Sequence, residues 1–250
     1  MLNTSTRSAA PWAALAAVAC AAASTAASGQ TTYSGPFVGD TVTYSDVQDQ
    51  DDLFGPPTLT GDTLNFTPQG FNAQSTGGGI ELVDGFLSTL IESNDDDRGI
   101  TEFTLEESGA FALDSIGAGF GSANTRVEVA VVFNVNVLEV DGSAVSVPFL
   151  TSRETLLAAN LVDDEGLGQA WSASTTIDIA ALAADEGITG DITRVRLTLD
   201  NQLLAVSEDG TVAFVDKKGV RAVSITVPEP TSALLVLGGG ALLLRRRFAA

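Results

Sequence analysis

Residues 126–137 read Arg126-Val127-Glu128-Val129-Ala130-Val131-Val132-Phe133-Asn134-Val135-Asn136-Val137. Val127, Val129, Val131, Phe133, Val135 and Val137 fall on one side of an extended chain. Arg126, Glu128, Asn134 and Asn136 fall on the other. A period of two sustained this long in β-branched residues specifies a β-strand with one buried face. The phase slips at Leu138, where Glu139 takes the place due to an apolar residue, so a bulge or strand end is expected there. Asp141-Gly142 is a turn, and Ala144–Val147 is the returning hairpin strand.

The same alternation recurs on either side. Ile192–Leu199, Gln202–Ser207, Thr211–Val215 and Val220–Val227 read as a four-strand meander. Its turns are at Asp200-Asn201, at Glu208-Asp209-Gly210 and across Asp216-Lys217-Lys218-Gly219. Earlier strands are expected at Thr41–Tyr44, Thr63–Phe66, Ile80–Val83, Phe86–Ile91 and Ile100–Leu105, with another at Thr175–Ile179. Helical turns are expected at Ser152–Asn160 and Ala180–Asp185. Phe111–Gly121, rich in glycine, reads as a loop or irregular edge, and the early Pro/Gly clusters read as long loops. The fold class is all-β: an antiparallel, jelly-roll-like β-sandwich over residues 29–227.

Composition narrows the chemistry. The chain has 250 residues, 12 Lys+Arg against 32 Asp+Glu, a net charge of −20, no histidine and one cysteine. Without histidine there is no Ser-His-Asp triad, Cys-His pair or imidazole metal ligand. One cysteine makes no disulfide and no thiolate zinc site. The acidity is wrong for a nucleic-acid backbone, which binds through Lys and Arg.

The two ends read as addresses. Arg7 precedes an Ala-dominated apolar stretch that closes in Ser24-Thr25-Ala26-Ala27-Ser28, the form of a signal peptide over residues 1–28. Cys20 would leave with it. At the other end, Pro228-Glu229-Pro230 precedes the charge-free stretch 233–244, and Arg245-Arg246-Arg247 follow. As a helix those 12 residues would be about 18 Å long, at ~1.5 Å per residue. That is a thin transmembrane helix against a hydrocarbon core of about 30 Å, with the arginines as a stop-transfer cluster.

This order of proline motif, short apolar helix and terminal arginines resembles the PEP-CTERM sorting signal of exported bacterial proteins. The resemblance covers residues 228–250 and leaves the body unassigned. It implies a Gram-negative host, processing by signal peptidase and an exosortase, transient anchoring in the inner membrane through residues 233–244, and delivery to the cell surface or extracellular matrix. Without Arg7, Arg245–Arg247 and Glu229, the body keeps eight basic and 31 acidic residues, a net of −23.

Acidic loops are the remaining candidates for chemistry. Asp49 with Asp51, and Asp95 with Asp97, have the spacing at which loop carboxylates converge on calcium. Neither sequence is an EF-hand. From Asn94 the sixth position is Gly99, but the twelfth is Leu105. The competing reading is a solvated loop that keeps an exported protein soluble. No cofactor is expected, calcium being the one ion these loops suit.

Three functions follow, in order. The first is a non-catalytic surface or matrix protein. The second is a carbohydrate-binding jelly roll, calcium-stabilised or not, acting on exopolysaccharide. The third is a carboxylate-based glycoside hydrolase, which needs a cleft holding two carboxylates about 5–10 Å apart. Trp171, the one tryptophan left once Trp12 departs with the signal, reads as a core residue rather than a sugar platform.

Overall fold

The computed structural model describes residues 29–95, 98–116, 123–145 and 150–228. In chain order the strands begin with β1 (Thr31–Tyr33), β2 (Phe37–Val38), β3 (Val42–Asp49), β4 (Thr58–Thr60) and β5 (Thr63–Phe66). They continue with β6 (Asn72–Thr76), β7 (Gly79–Ser93), β8 (Glu102–Ser115), β9 (Arg126–Val140), β10 (Ser143–Ala144) and β11 (Leu150–Asn160). After β12 (Gly166–Asp178) comes the one-turn-plus helix α1 (Ile179–Asp185), then β13 (Ile192–Ser207), β14 (Thr211–Lys217) and β15 (Val223–Thr226).

Two antiparallel sheets face each other in a sandwich-like arrangement. The first runs β1–β3–β7–β13–β9–β10, with β2 also on β3 and β11 also on β9. The second runs β4–β5–β15–β8–β14–β6, with β12 along the other side of β8. The strand read first from the sequence is β9. Its six alternating apolar residues are each at most 1% exposed, and it lies between β13 and β11. The slip at Leu138 is a bulge: Val195 pairs with Val137 and Arg194 with Glu139, so Leu138 has no opposite number. Beyond it the chain turns through Asp141 and Gly142, both left-handed at φ of 49° and 68°, and β10 returns on β9. That is the twist a two-residue hairpin needs, and glycine supplies its second position without strain.

Several expectations change. Ser152–Asn160 is strand, not helix. Its Leu, Ala and Glu are good helix formers, but pairing with β9 from Leu150 to Asn160 outweighs propensity, and the misfit appears as a bulge between Thr155 and Leu157. Asp200-Asn201 is not a turn. The chain runs straight through it, because Asp200 faces outward and Asn201 faces a partner in the core. Ile80–Val83 and Phe86–Ile91 are likewise one strand, β7.

The meander also fails as a unit. β13 belongs to the first sheet, whereas β14 and β15 lie end to end along one side of β8 in the second. Residues 111–115, expected as loop, complete β8. Helix α1 forms where expected, capped by Asp178, whose side chain accepts from the Ala181 N–H at 2.7 Å. Among the described residues no helix is long and apolar enough to cross a membrane. The expected signal peptide, the expected span over 233–244, Glu229, Pro230 and Arg245–Arg247 lie outside the described residues; Pro228 is the last of those described.

The early loops are less solvated than their composition suggests. Phe54 and Phe71 leave those loops for the core, where Phe54 meets Phe71 at 5.4 Å and Phe66 of β5 at 6.1 Å in edge-on contacts, and all three are at most 1% exposed. Tyr44 is buried in the same core, its hydroxyl donating to the Asp62 carbonyl at 2.6 Å.

The chain's two tyrosines carry a pH signature. Burial raises the Tyr44 phenol well above its usual value. Burial, with Asp49 and Asp52 nearby, pushes Tyr33 up to about 12. Both shifts are upward, so they stabilise the fold below about pH 10, where unfolded tyrosine ionises. That stability is lost as pH rises above 10 toward the folded values. Tyrosinate absorbance should stay flat through pH 11 in the native protein and rise near pH 10 in denaturant. A native titration centred at 10 would contradict this packing.

Candidate functional site

Alternation places three polar residues on inward faces. β8 presents Phe103, Leu105, Glu107, Phe111 and Leu113 to the core. β14 presents Ala213, Val215 and Lys217, and β13 presents Leu197, Leu199, Asn201 and Leu203. Glu107, Lys217 and Asn201 are therefore forced inside by strand periodicity, at 2%, 1% and 0% exposure. They meet there. Lys217 Nζ forms an ion pair with Glu107 Oε2, donates to Asn201 Oδ1 at 2.5 Å, and lies 5.0 Å from the centre of the Phe71 ring. Burial pushes the Lys217 ammonium below the usual lysine range, and the Glu107 carboxylate opposes that shift. Asn201 comes from the first sheet and the other two from the second, so the cluster bridges the sandwich.

Gly109, opposite Lys217, makes room for this arrangement. The Trp171 indole N–H reaches past it to the Asp216 carbonyl at 3.1 Å, and the Asp216 carboxylate accepts from the Ala110 N–H at 2.8 Å. Trp171 is thus a core residue, 7% exposed, as expected. The signal for the cluster was present in the sequence. Glu107, Lys217 and Asn201 each sit in the apolar phase of an alternation, but Lys217 and Asn201 resemble turn residues when read locally.

The outer face of the first sheet is the second feature. Cross-strand register aligns Thr32, Gln48, Ser88, Thr198, Asn134 and Thr151 in one row of uncharged hydrogen-bonding side chains across six strands. Thr151 donates to Asn134 at 2.9 Å, and Gln30 donates to Gln48 at 2.9 Å. Phe86, directly opposite Asp200, lies half-buried on the same face. One flank carries ion pairs between strands of this sheet: Arg196 with Asp46 at 2.8 Å and Arg194 with Glu139 at 3.0 Å. The Arg196 hydrogen bond, helped by Gln48, holds the Asp46 carboxyl below its usual range. On the other flank, burial and the charges of Asp200 and Asp51 raise Asp84.

Of the calcium candidates, Asp49 and Asp51 share one loop and Asp95 lies in another, after β7. Asp49 is fully buried. Its two oxygens accept backbone N–H groups from Asp51, Leu53, Phe54 and Gly55 at 2.8–3.4 Å. Burial raises this carboxyl and the four donors oppose the shift. The cage folds residues 50–55 into a tight loop that sends Phe54 into the core. Asp51 accepts from the Phe86 N–H at 3.1 Å. Asp95 pairs with Arg98 at 3.4 Å, and Asp97 lies outside the described residues. Among the described residues no group of three carboxylates is set to hold a metal.

Asp49→Ala should therefore cost about 3 kcal/mol, because several buried N–H groups lose their acceptor together. A denaturant midpoint equal to wild type would show that the loop holds without its cage.

No family model matches the chain, and no curated protein does. Among solved structures, it is similar to a carbohydrate-binding module, TmCBM61, in complex with β-1,4-galactotriose. Identity is 10% and the TM-score 0.25, over 70% of this chain and 91% of that one. The VP2 subviral particle of infectious bursal disease virus gives 12% identity and a TM-score of 0.22, over 88% and 58%. A family 29 carbohydrate-binding module gives 10% and 0.16, over 75% and 89%. At these values none bears on ligand or function.

Proposed function

We propose that the chain is an exported, non-catalytic protein of the cell surface or extracellular matrix of a Gram-negative bacterium. In this reading its body is a jelly-roll-like sandwich that contacts exopolysaccharide through the outer face of the first sheet. The observation that carries the contact is the row from Thr32 to Thr151. Sugars are ringed with hydroxyls, and a line of Thr, Ser, Asn and Gln offers donors and acceptors in the spacing of adjacent strands, about 4.8 Å. Phe86 beside the row is an apolar surface on which a sugar ring can rest. The jelly-roll reading is supported by the way the long strands change sheet: β7, β8 and β9 alternate between the two, as do β12, β13 and β14. The two addresses supply the export route, with the tail at Pro228, Glu229 and Pro230 as the exosortase substrate.

Affinity electrophoresis through a gel containing the host exopolysaccharide tests the contact. The mature protein should be retarded. Asn134→Ala combined with Thr198→Ala should weaken the apparent affinity about tenfold, by removing two hydrogen-bonding groups. Unretarded migration of the wild type at all polysaccharide concentrations would overturn the binding face.

A further inference from the structure

The buried cluster of Lys217, Glu107 and Asn201 holds the three groups an amide exchange requires: an amine, a carboxamide and a proton carrier. We propose that Lys217 and Asn201 form an intramolecular isopeptide bond, with Glu107 as the catalytic acid–base, welding the two sheets together.

The geometry supports each role. Lys217 Nζ is 2.5 Å from Asn201 Oδ1, so the carboxamide carbon lies one C=O bond beyond the oxygen that the amine contacts. Such enforced proximity replaces the encounter that makes amide exchange slow in solution. Burial favours the neutral, nucleophilic form of the amine. Glu107 touches Nζ directly and takes its proton. Two atoms of the cluster, Glu107 Oε1 and Asn201 Nδ2, are buried without a hydrogen-bond partner among the described residues. An unpaired buried amide nitrogen is costly in a resting structure, and here it is the leaving group.

The step balances. The Lys217 ammonium gives one proton to the Glu107 carboxylate, and the freed amine adds to Asn201 Cγ. Glu107 passes that proton to Nδ2, the Cγ–Nδ2 bond breaks, and ammonia departs. The new amide nitrogen gives its surplus proton to Glu107, which ends neutral. A buried charge pair and a buried carboxamide become one amide and one carboxylic acid. No oxidant, metal or nucleotide is consumed. The bond joins β13 to β14, one strand from each sheet.

Peptide mapping of the full-length protein by mass spectrometry tests it. Cleavage at Glu208 separates Asn201 from Lys217 in an unlinked chain. The wild type should instead yield the two peptides joined, lighter by one ammonia (~17 Da), and trypsin should fail to cut after Lys217. Glu107→Gln and Lys217→Arg should give separate peptides at their sequence masses. Separate wild-type peptides at full mass would overturn the proposal. So would a peptide lighter by one ammonia that still separates at Glu208, since that is a succinimide at Asn201. A linked Glu107→Gln protein would overturn the role of Glu107. The wild-type map decides even where a variant does not fold.

Discussion

Lys217→Met should lower the free energy of unfolding by about 3–5 kcal/mol, since it leaves Glu107 charged and alone between two apolar sheets. Methionine fills most of the volume, so the loss is electrostatic rather than a cavity. The companion substitution separates the possible causes. Replacing Lys217 with Met and Glu107 with Leu together removes both charges, and an isolated buried pair exchanged this way is often neutral or stabilising. If the cluster is an ion pair alone, the double variant should return to wild-type stability. If Lys217 is joined to Asn201, the double variant should stay below wild type. A tie across a loop of about 15 residues contributes on the order of 3 kcal/mol by restricting the unfolded chain. Denaturant midpoints of the three proteins distinguish these outcomes. A Lys217→Met protein as stable as wild type would mean that the cluster is not buried as described.

Gly109→Ala should be comparably severe for a different reason. A Cβ at this position would lie 1.9 Å from the Asp216 carbonyl oxygen and 2.8 Å from Trp171 Nε1. The nearest atom is backbone on the adjacent strand and cannot rotate away. Relief requires β8 and β14 to separate, with loss of the Trp171–Asp216 hydrogen bond and disturbance of the Lys217 site. The expected cost is about 3 kcal/mol, at the upper end for a single added methyl in a packed core. Trp171 fluorescence should shift to the red as the indole gains water. A variant with wild-type fluorescence and midpoint would contradict the close approach of the two strands.

Strand identity was legible wherever alternation was clean. β9 follows from six apolar residues in phase, and its bulge follows from the slip at Leu138. β5 is found at its observed limits, Thr63 to Phe66. What stayed hidden was decided by partners distant in sequence. β11 has helix-forming residues and becomes strand because β9 offers it a ladder. Asn201 has the look of a turn residue and stays in β13 because Lys217 waits across the core. Which sheet each strand joins is equally a long-range outcome, so a meander was the natural local reading of β13 to β15. The outer row of the first sheet was legible in part, through Asn134 on the polar face of β9. Its other members come from strands whose register no local pattern fixes.

The acidity takes on a structural meaning in three places. Asp49 folds a loop around itself, Asp46 and Glu139 anchor the strand arginines, and Glu107 faces the core lysine. The acidic side chains elsewhere on the surface give the body a high net negative charge, which favours solubility.

The central proposal is export with processing of both ends. Its most direct test is mass-spectrometric mapping of the termini of the protein recovered from the host's extracellular and surface fractions. The prediction is a mature chain that begins near residue 29 and ends close to Pro228-Glu229-Pro230, absent from the cytoplasm. A full-length chain, Met1 to Ala250, accumulating in the cytoplasmic fraction would contradict it.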